Sequence, residues 1–220
     1  MNGLYWLVPL LIIAAVIGVY ARYWYYRPSG MSEILSASYS HQTLEYMDSS
    51  ARRKGEDSES YEFSTYEIAS HLKSRKLDWR QRNDIVSYMT RLGWVHEFPE
   101  QGTKYYSISR AGKHELETAD GLGQVVKEAA QTLHDKGISG DQAKATAAEV
   151  VAAALRVQAR SASSENRKRA EASANEIEKA LRTRDPGEID RTLTRIRDTL
   201  QIVTYSVPFV RDILRILGLL

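Results

Sequence analysis

The sequence predicts a mainly α fold in three parts: an N-terminal transmembrane helix, a small α+β domain, and a C-terminal helical bundle or coiled coil. Three observations carry this division. Residues 4–20 (LYWLVPLLIIAAVIGVY) contain no charge, residues 61–118 hold capping and hairpin signals in close succession, and residues 141–183 contain neither proline nor glycine.

Residues 1–27 read as a membrane anchor. About 20 apolar residues rising ~1.5 Å each span a hydrocarbon layer of ~30 Å. Tyr5 and Trp6 at one end, and Tyr20 with Tyr23, Trp24, Tyr25 and Tyr26 at the other, supply interfacial belts. Pro9 is tolerated in a lipid-embedded helix. A cleaved signal peptide fits poorly, because no Lys or Arg precedes Leu4 and the exit is a bulky aromatic cluster rather than a small-residue cleavage site. Arg22 and Arg27 follow the span. The positive-inside rule therefore sets the N-terminus outside a plasma (inner) membrane of bacterial type, with the bulk of the chain cytoplasmic.

Composition suits a cytoplasmic body. The chain has no cysteine, which excludes a disulfide framework, thiolate metal ligands and a cysteine nucleophile. Thirty Lys plus Arg stand against 28 Asp plus Glu, so no global basic field announces a nucleic-acid partner.

Residues 28–60 are expected to form a juxtamembrane helix and a linker. Ile34, Leu35, Tyr39, Leu44, Tyr46 and Met47 make a weak amphipathic pattern, and residues 49–60 (SSARRKGEDSES) then lose every large apolar side chain. From residue 61 to 120 the signals define a domain. Ser64 and Glu67 form a capping box, so a helix starts there with Ile68, Ala69 and Leu72 on its buried side. Asp78 caps a second helix carrying Ile85, Tyr88, Met89 and Leu92, which Gly93 stops. Trp94 to Phe98 and Lys104 to Ile108 flank a Pro99–Gly102 turn and read as a hairpin, and Ser109 opens another helix.

This order, with RLGWV at residues 91–95 and YSISRAG at residues 106–112, resembles the winged helix-turn-helix superfamily, in particular regulators of the MarR and PadR type. The resemblance implies that the second helix enters the major groove of DNA. It assigns DNA contact to Arg80, Gln81, Arg82, Asn83, Ser87 and Arg91, with Lys104 of the wing reaching a phosphate. The residue types suit that work, since Arg pairs guanine in fork geometry and Asn or Gln pairs adenine. Local charge weighs against it: residues 61–118 carry nine basic and eight acidic side chains, with Asp84 on the second helix and Glu97 and Glu100 beside the wing.

No enzyme constellation competes. His41, His71, His96, His114 and His134 are scattered, and no Walker loop or dinucleotide fingerprint occurs, so neither catalysis, metal nor cofactor is expected.

Residues 121–220 form a helical tail. A helix runs to Lys136 and is stopped by Gly137, and the proline- and glycine-free stretch that follows permits one long helix or a break in its polar section, SASSENRKRAEAS at residues 161–173. Asp185, Pro186 and Glu188 announce a further helix. Its Ile189, Leu193, Ile196, Leu200 and Val203, spaced four, three, four and three, form an a/d seam, read either as an intrachain core or as a self-association surface. Residues 206–220 form an apolar amphipathic helix that lies at a membrane interface or docks in a groove. The leading function is thus a membrane-tethered DNA-binding or regulatory protein, with duplex DNA, the membrane and a second copy of the chain as partners. The alternative is a membrane-associated scaffold or defence-type effector whose winged helix binds protein and whose tail oligomerises.

Overall fold

The computed structural model describes residues 29–100, 102–136, 140–161 and 164–196. In chain order these form α1 (Glu33–Arg53), β1 (Phe63–Ser64), α2 (Thr65–Ser74), α3 (Trp79–Arg91), β2 (Val95–Glu100), β3 (Thr103–Ile108), α4 (Arg110–Thr118), α5 (Asp120–Lys136), α6 (Gly140–Ser161), α7 (Ser164–Thr183) and α8 (Pro186–Arg195).

No helix among the described residues is long and apolar enough to cross a membrane. This corrects the expected fold class: the fold lends no support to a transmembrane helix or to a single-pass membrane protein. The long helices have the length but not the composition. α1 carries Glu45, Asp48 and Arg52, α6 carries Glu149 and Arg156, and α7 is charged throughout. Residues 1–27, where the sequence places the span, lie outside the described residues, as do residues 206–220.

The local signals explain why each element of the small α+β unit starts and stops. Ser64 Oγ accepts from the Glu67 amide at 3.2 Å while Glu67 returns to the Ser64 amide at 2.9 Å. Asp78 and Gln81 make the same reciprocal pair at the start of α3, both at 2.9 Å. α3 ends where Gly93 takes a left-handed φ of 68°, letting the Trp94 amide turn back to the Met89 carbonyl at 2.9 Å. β2 and β3 then pair antiparallel from Val95↔Ile108 to Glu100↔Thr103. The sequence shows no sign of β1, which pairs with β3 through Phe63↔Tyr106 and makes the sheet order β1-β3-β2. Two residues are too few to display the alternation by which a strand is recognised. Behind the sheet, α4 lies so close to the chain that a Cβ on Gly112 would stand 2.1 Å from the Trp94 carbonyl oxygen, a contact that no side chain permits.

α1 is not an appendage leading into this unit. It packs on α2, α3 and α4 of the small unit and also on α5 and α6 of the tail, which makes it the element shared by both. Its buried surface includes Ile34, Leu44 and Met47, but also Ala37, Ser36, Ser38, Ser40, His41, Gln42 and Thr43. Small and polar side chains line most of its circumference, so neighbouring helices approach from several sides. A helix buried all round shows no one-sided apolar stripe, which is why its pattern reads as weak in the sequence.

The tail folds as a helical hairpin rather than one long helix. α6 ends at Ser161, α7 begins at Ser164, and the two run back along each other: Arg167 Nε donates to the Ala159 carbonyl at 2.8 Å near the turn, while Arg156 meets Glu178 further along. Ala147, Ala148, Ala152 and Ala154 of α6 and Ala170, Ala174 and Ala180 of α7 are all buried. Alanine lets helix backbones approach closely and lowers the loss of side-chain entropy on packing. α8 starts on its Asp185 cap, whose carboxylate accepts from the Gly187 amide at 2.9 Å, and closes the hairpin.

Candidate nucleic-acid interface

α2, the short turn after it, and α3 form one surface of the small unit, and the β2–β3 hairpin stands beside it. Each residue expected to touch DNA now has a place. Asn83 and Ser87 are exposed on the outer side of α3. Arg80 is half-buried, with its guanidinium 5.5 Å from the Trp79 ring centre. Arg91 is exposed; it lies 5.1 Å over the Tyr88 ring and reaches Glu33 of α1 at 3.8 Å, with both partners of that pair two-thirds exposed. An ion pair so exposed contributes little and exchanges readily for another partner.

The other three are engaged within the chain. Gln81 supplies the returning half of the α3 capping box. Arg82 turns back, donating from Nε to the Asp78 carbonyl at 3.2 Å and from Nη1 to the Ala69 carbonyl at 3.4 Å, and so ties α3 to α2. Lys104 pairs with Glu97 across the hairpin at 2.7 Å. The Tyr106 hydroxyl donates to the same carboxylate at 3.2 Å, and burial together with Glu97 pushes the Tyr106 pKa up to about 12. The basic residue of the wing is thereby neutralised by its neighbour.

Asp84, the acid on α3, is also engaged: its carboxylate accepts from the Ser29 amide at 2.9 Å and from the Ser29 hydroxyl. Residues 29–33 therefore lie along one edge of α3, next to Asp84 and Arg91. Basic residues that the motif alone does not single out lie around the turn between α2 and α3. Lys73 and Lys76 are exposed and Arg75 half-buried around the turn between α2 and α3. Lys76 holds a left-handed φ of 60° there. Residues 70–91 thus carry six basic side chains and two acidic ones, and the first turn of α3 has no acid.

A second polar centre lies in the core, and no sequence motif marks it. Arg156 of α6 donates to Glu178 of α7 at 2.9 Å and to Asn175 at 3.0 Å, and Ser38 and Gln42 of α1 reach the same carboxylate at 3.5 Å. Both ions of the pair are at most 9% exposed. Burial works to lower the Arg156 pKa, but the adjacent Glu178 more than offsets this and holds it up. Nearby, Arg160 pairs with Glu45 of α1. His41 is 2% exposed, and burial plus the charge of Arg160 push its pKa down to about 3. Only the assembled helices reveal this cluster, since its members are spread over residues 38–178.

The predicted self-association seam divides. Ile189, Leu193 and Ile196 are buried inside the chain, where α8 packs on α7 and α6. Leu200 and Val203 lie outside the described residues. Among the described residues no group of three or more His, Asp or Glu side chains is placed to hold a metal ion. Comparison with protein-family models, with curated proteins and with solved structures finds no match to the chain.

Proposed function

We propose that the chain is a winged-helix protein that binds duplex DNA through its α2–α3 pair and works as a DNA-binding regulator. The observation that carries this reading is the separation of charge within the small unit. Residues 70–91 carry six basic side chains against Asp78 and Asp84, which accept from the Gln81 and Ser29 amides, whereas Glu97 and Glu100 lie on the hairpin and Glu115 is buried, accepting from the Gly121 and Leu122 amides at 2.7 and 3.1 Å. The near-neutral sum therefore conceals a basic face of the kind that neutralises phosphates. The succession of capped helix, short turn, capped helix and antiparallel hairpin supports the same reading.

The test is a salt titration of the full chain on duplex DNA. Neutralising about five phosphates gives a slope of about −4.5 for log affinity against log salt. Lys73→Glu combined with Lys76→Glu should lower affinity at least roughly tenfold and leave the melting temperature unchanged, because both side chains are exposed. Arg82→Ala is the wrong probe, because it also unties α3 from Ala69. Failure of the wild-type chain to bind at low salt eliminates the reading.

One observation favours a second reading, a winged helix that docks a protein. The hairpin neutralises its own lysine and leaves Phe98 41% exposed, while Tyr66 at the start of α2 is 80% exposed. Under that reading Phe98→Ser removes partner binding and the Lys73/Lys76 reversals do not.

A further inference from the structure

A cleft of about 730 Å³ lies between the start of α1, the turn between α2 and α3, and the tail helices α6, α7 and α8. Its volume falls within the range of small-molecule sites, ~300 to 1,000 Å³. Leu35, Leu77, Ala145, Leu181 and Ile189 give it apolar walls. Among its acids one stands apart. Glu178 is held by Arg156, and Asp141 is exposed at the rim. Glu149 is half-buried on α6, and its Oε2 accepts from the Ser32 hydroxyl at 2.6 Å.

Among the described residues no basic side chain pairs with Glu149. Burial raises its pKa, and the hydrogen bond from the Ser32 hydroxyl works against that rise. The basic groups along the cleft are turned elsewhere: Arg182 donates to the Tyr39 hydroxyl at 3.2 Å, and Lys76 and Arg184 are exposed at the margin. A carboxylate withdrawn from water without a counter-charge is costly, and the cost is recovered when a bound group brings a positive charge to it. An anion meets repulsion at that point, and a neutral molecule gains only apolar contact.

We propose that this cleft is a binding site for a small amphipathic monocation, with an ammonium or amidinium group on the Glu149 carboxylate and an apolar body between Leu35 and Leu181. The proposal does not rest on the DNA reading, because the groups that would recognise the ligand, Glu149 with Leu35 and Leu181, belong to α1 and the tail helices.

The experiment uses the full chain and three probes of one shape: 1-naphthylmethylamine, the neutral 1-naphthylmethanol and the anion 1-naphthoate, titrated calorimetrically. The amine should bind at least roughly tenfold tighter than the alcohol, as expected for a charge-assisted contact, and the naphthoate should be the weakest. Glu149→Gln should erase the preference for amine over alcohol and leave the alcohol's affinity unchanged. Gln142→Arg changes an exposed residue at the cleft mouth, so folding is unaffected, and should weaken the amine severalfold but not the alcohol. Equal binding of amine and alcohol, a preference that survives Glu149→Gln in a folded variant, indifference of the amine to Gln142→Arg, or no amine binding at millimolar concentration each overturns the proposal.

Discussion

Between residues 63 and 108 the core is built from large side chains: Phe63, Ile68, Leu72, Ile85, Met89 and Ile108 are all 1% exposed or less. Between residues 140 and 183 it is built largely from alanine, with Leu155 and Ile177 as the large fully buried side chains and the Arg156–Glu178 pair set among them. The first region gains its stability from apolar area removed from water, about 25 cal/mol per Å². The second gains much less area per residue and depends on close backbone approach and on a counter-charge in the right place. One fold therefore holds two regions that fail for different reasons, joined by α1, whose small and polar buried face fits both.

Breaking the ion pair should have the largest effect. Glu178→Leu leaves Arg156 buried without a counter-charge and should cost about 3 to 5 kcal/mol in urea unfolding. Adding Arg156→Met should restore most of that loss, because two apolar side chains of similar volume replace the pair. If the double variant is no more stable than Glu178→Leu, the pair is not what couples α6, α7 and α1.

Acid sharpens the comparison at α1. His41 and His71 are neutral in the fold, their pKa values pushed down to about 3 and about 4, in both cases mainly by burial. The unfolded chain takes up protons below its ordinary histidine value of about 6.5 while the folded chain does not, so each residue's effect is absent above pH 6.5 and grows as pH falls toward its folded value. Between pH 6.5 and pH 5 His41 should subtract on the order of 2 kcal/mol. His41→Gln should flatten the pH dependence of the unfolding midpoint over that window, and an unchanged profile would place the acid sensitivity elsewhere.

The smallest effect is expected at a cap. Asp78→Ala removes the oxygen that satisfies the Gln81 amide and should cost about 1 kcal/mol, read from the thermal midpoint. Because the cap serves α3 alone, the Glu178→Leu loss should be unchanged in its presence, as for distant independent sites. Coupling between the two would show that the regions are less separate than their packing indicates.

What the sequence determined by itself is local. Ser64 with Glu67, Asp78, Gly93, and Asp185 with Pro186 mark helix ends because the groups they cap lie within three or four residues and their geometry follows from the chain. The hairpin was legible for the same reason, from two short runs on either side of a turn, and so was the list of residues on α3. Only the tertiary structure decided which of them face outward, because whether Arg82 reaches DNA or the Ala69 carbonyl depends on where α2 lies, and whether Lys104 is free depends on its neighbour across the strands. The same holds for α1, β1, the Arg156–Glu178 pair and the Ser32–Glu149 contact. Their partners stand tens to more than a hundred residues away, and burial and electrostatic pairing depend on distance in space, which spacing along the chain does not encode.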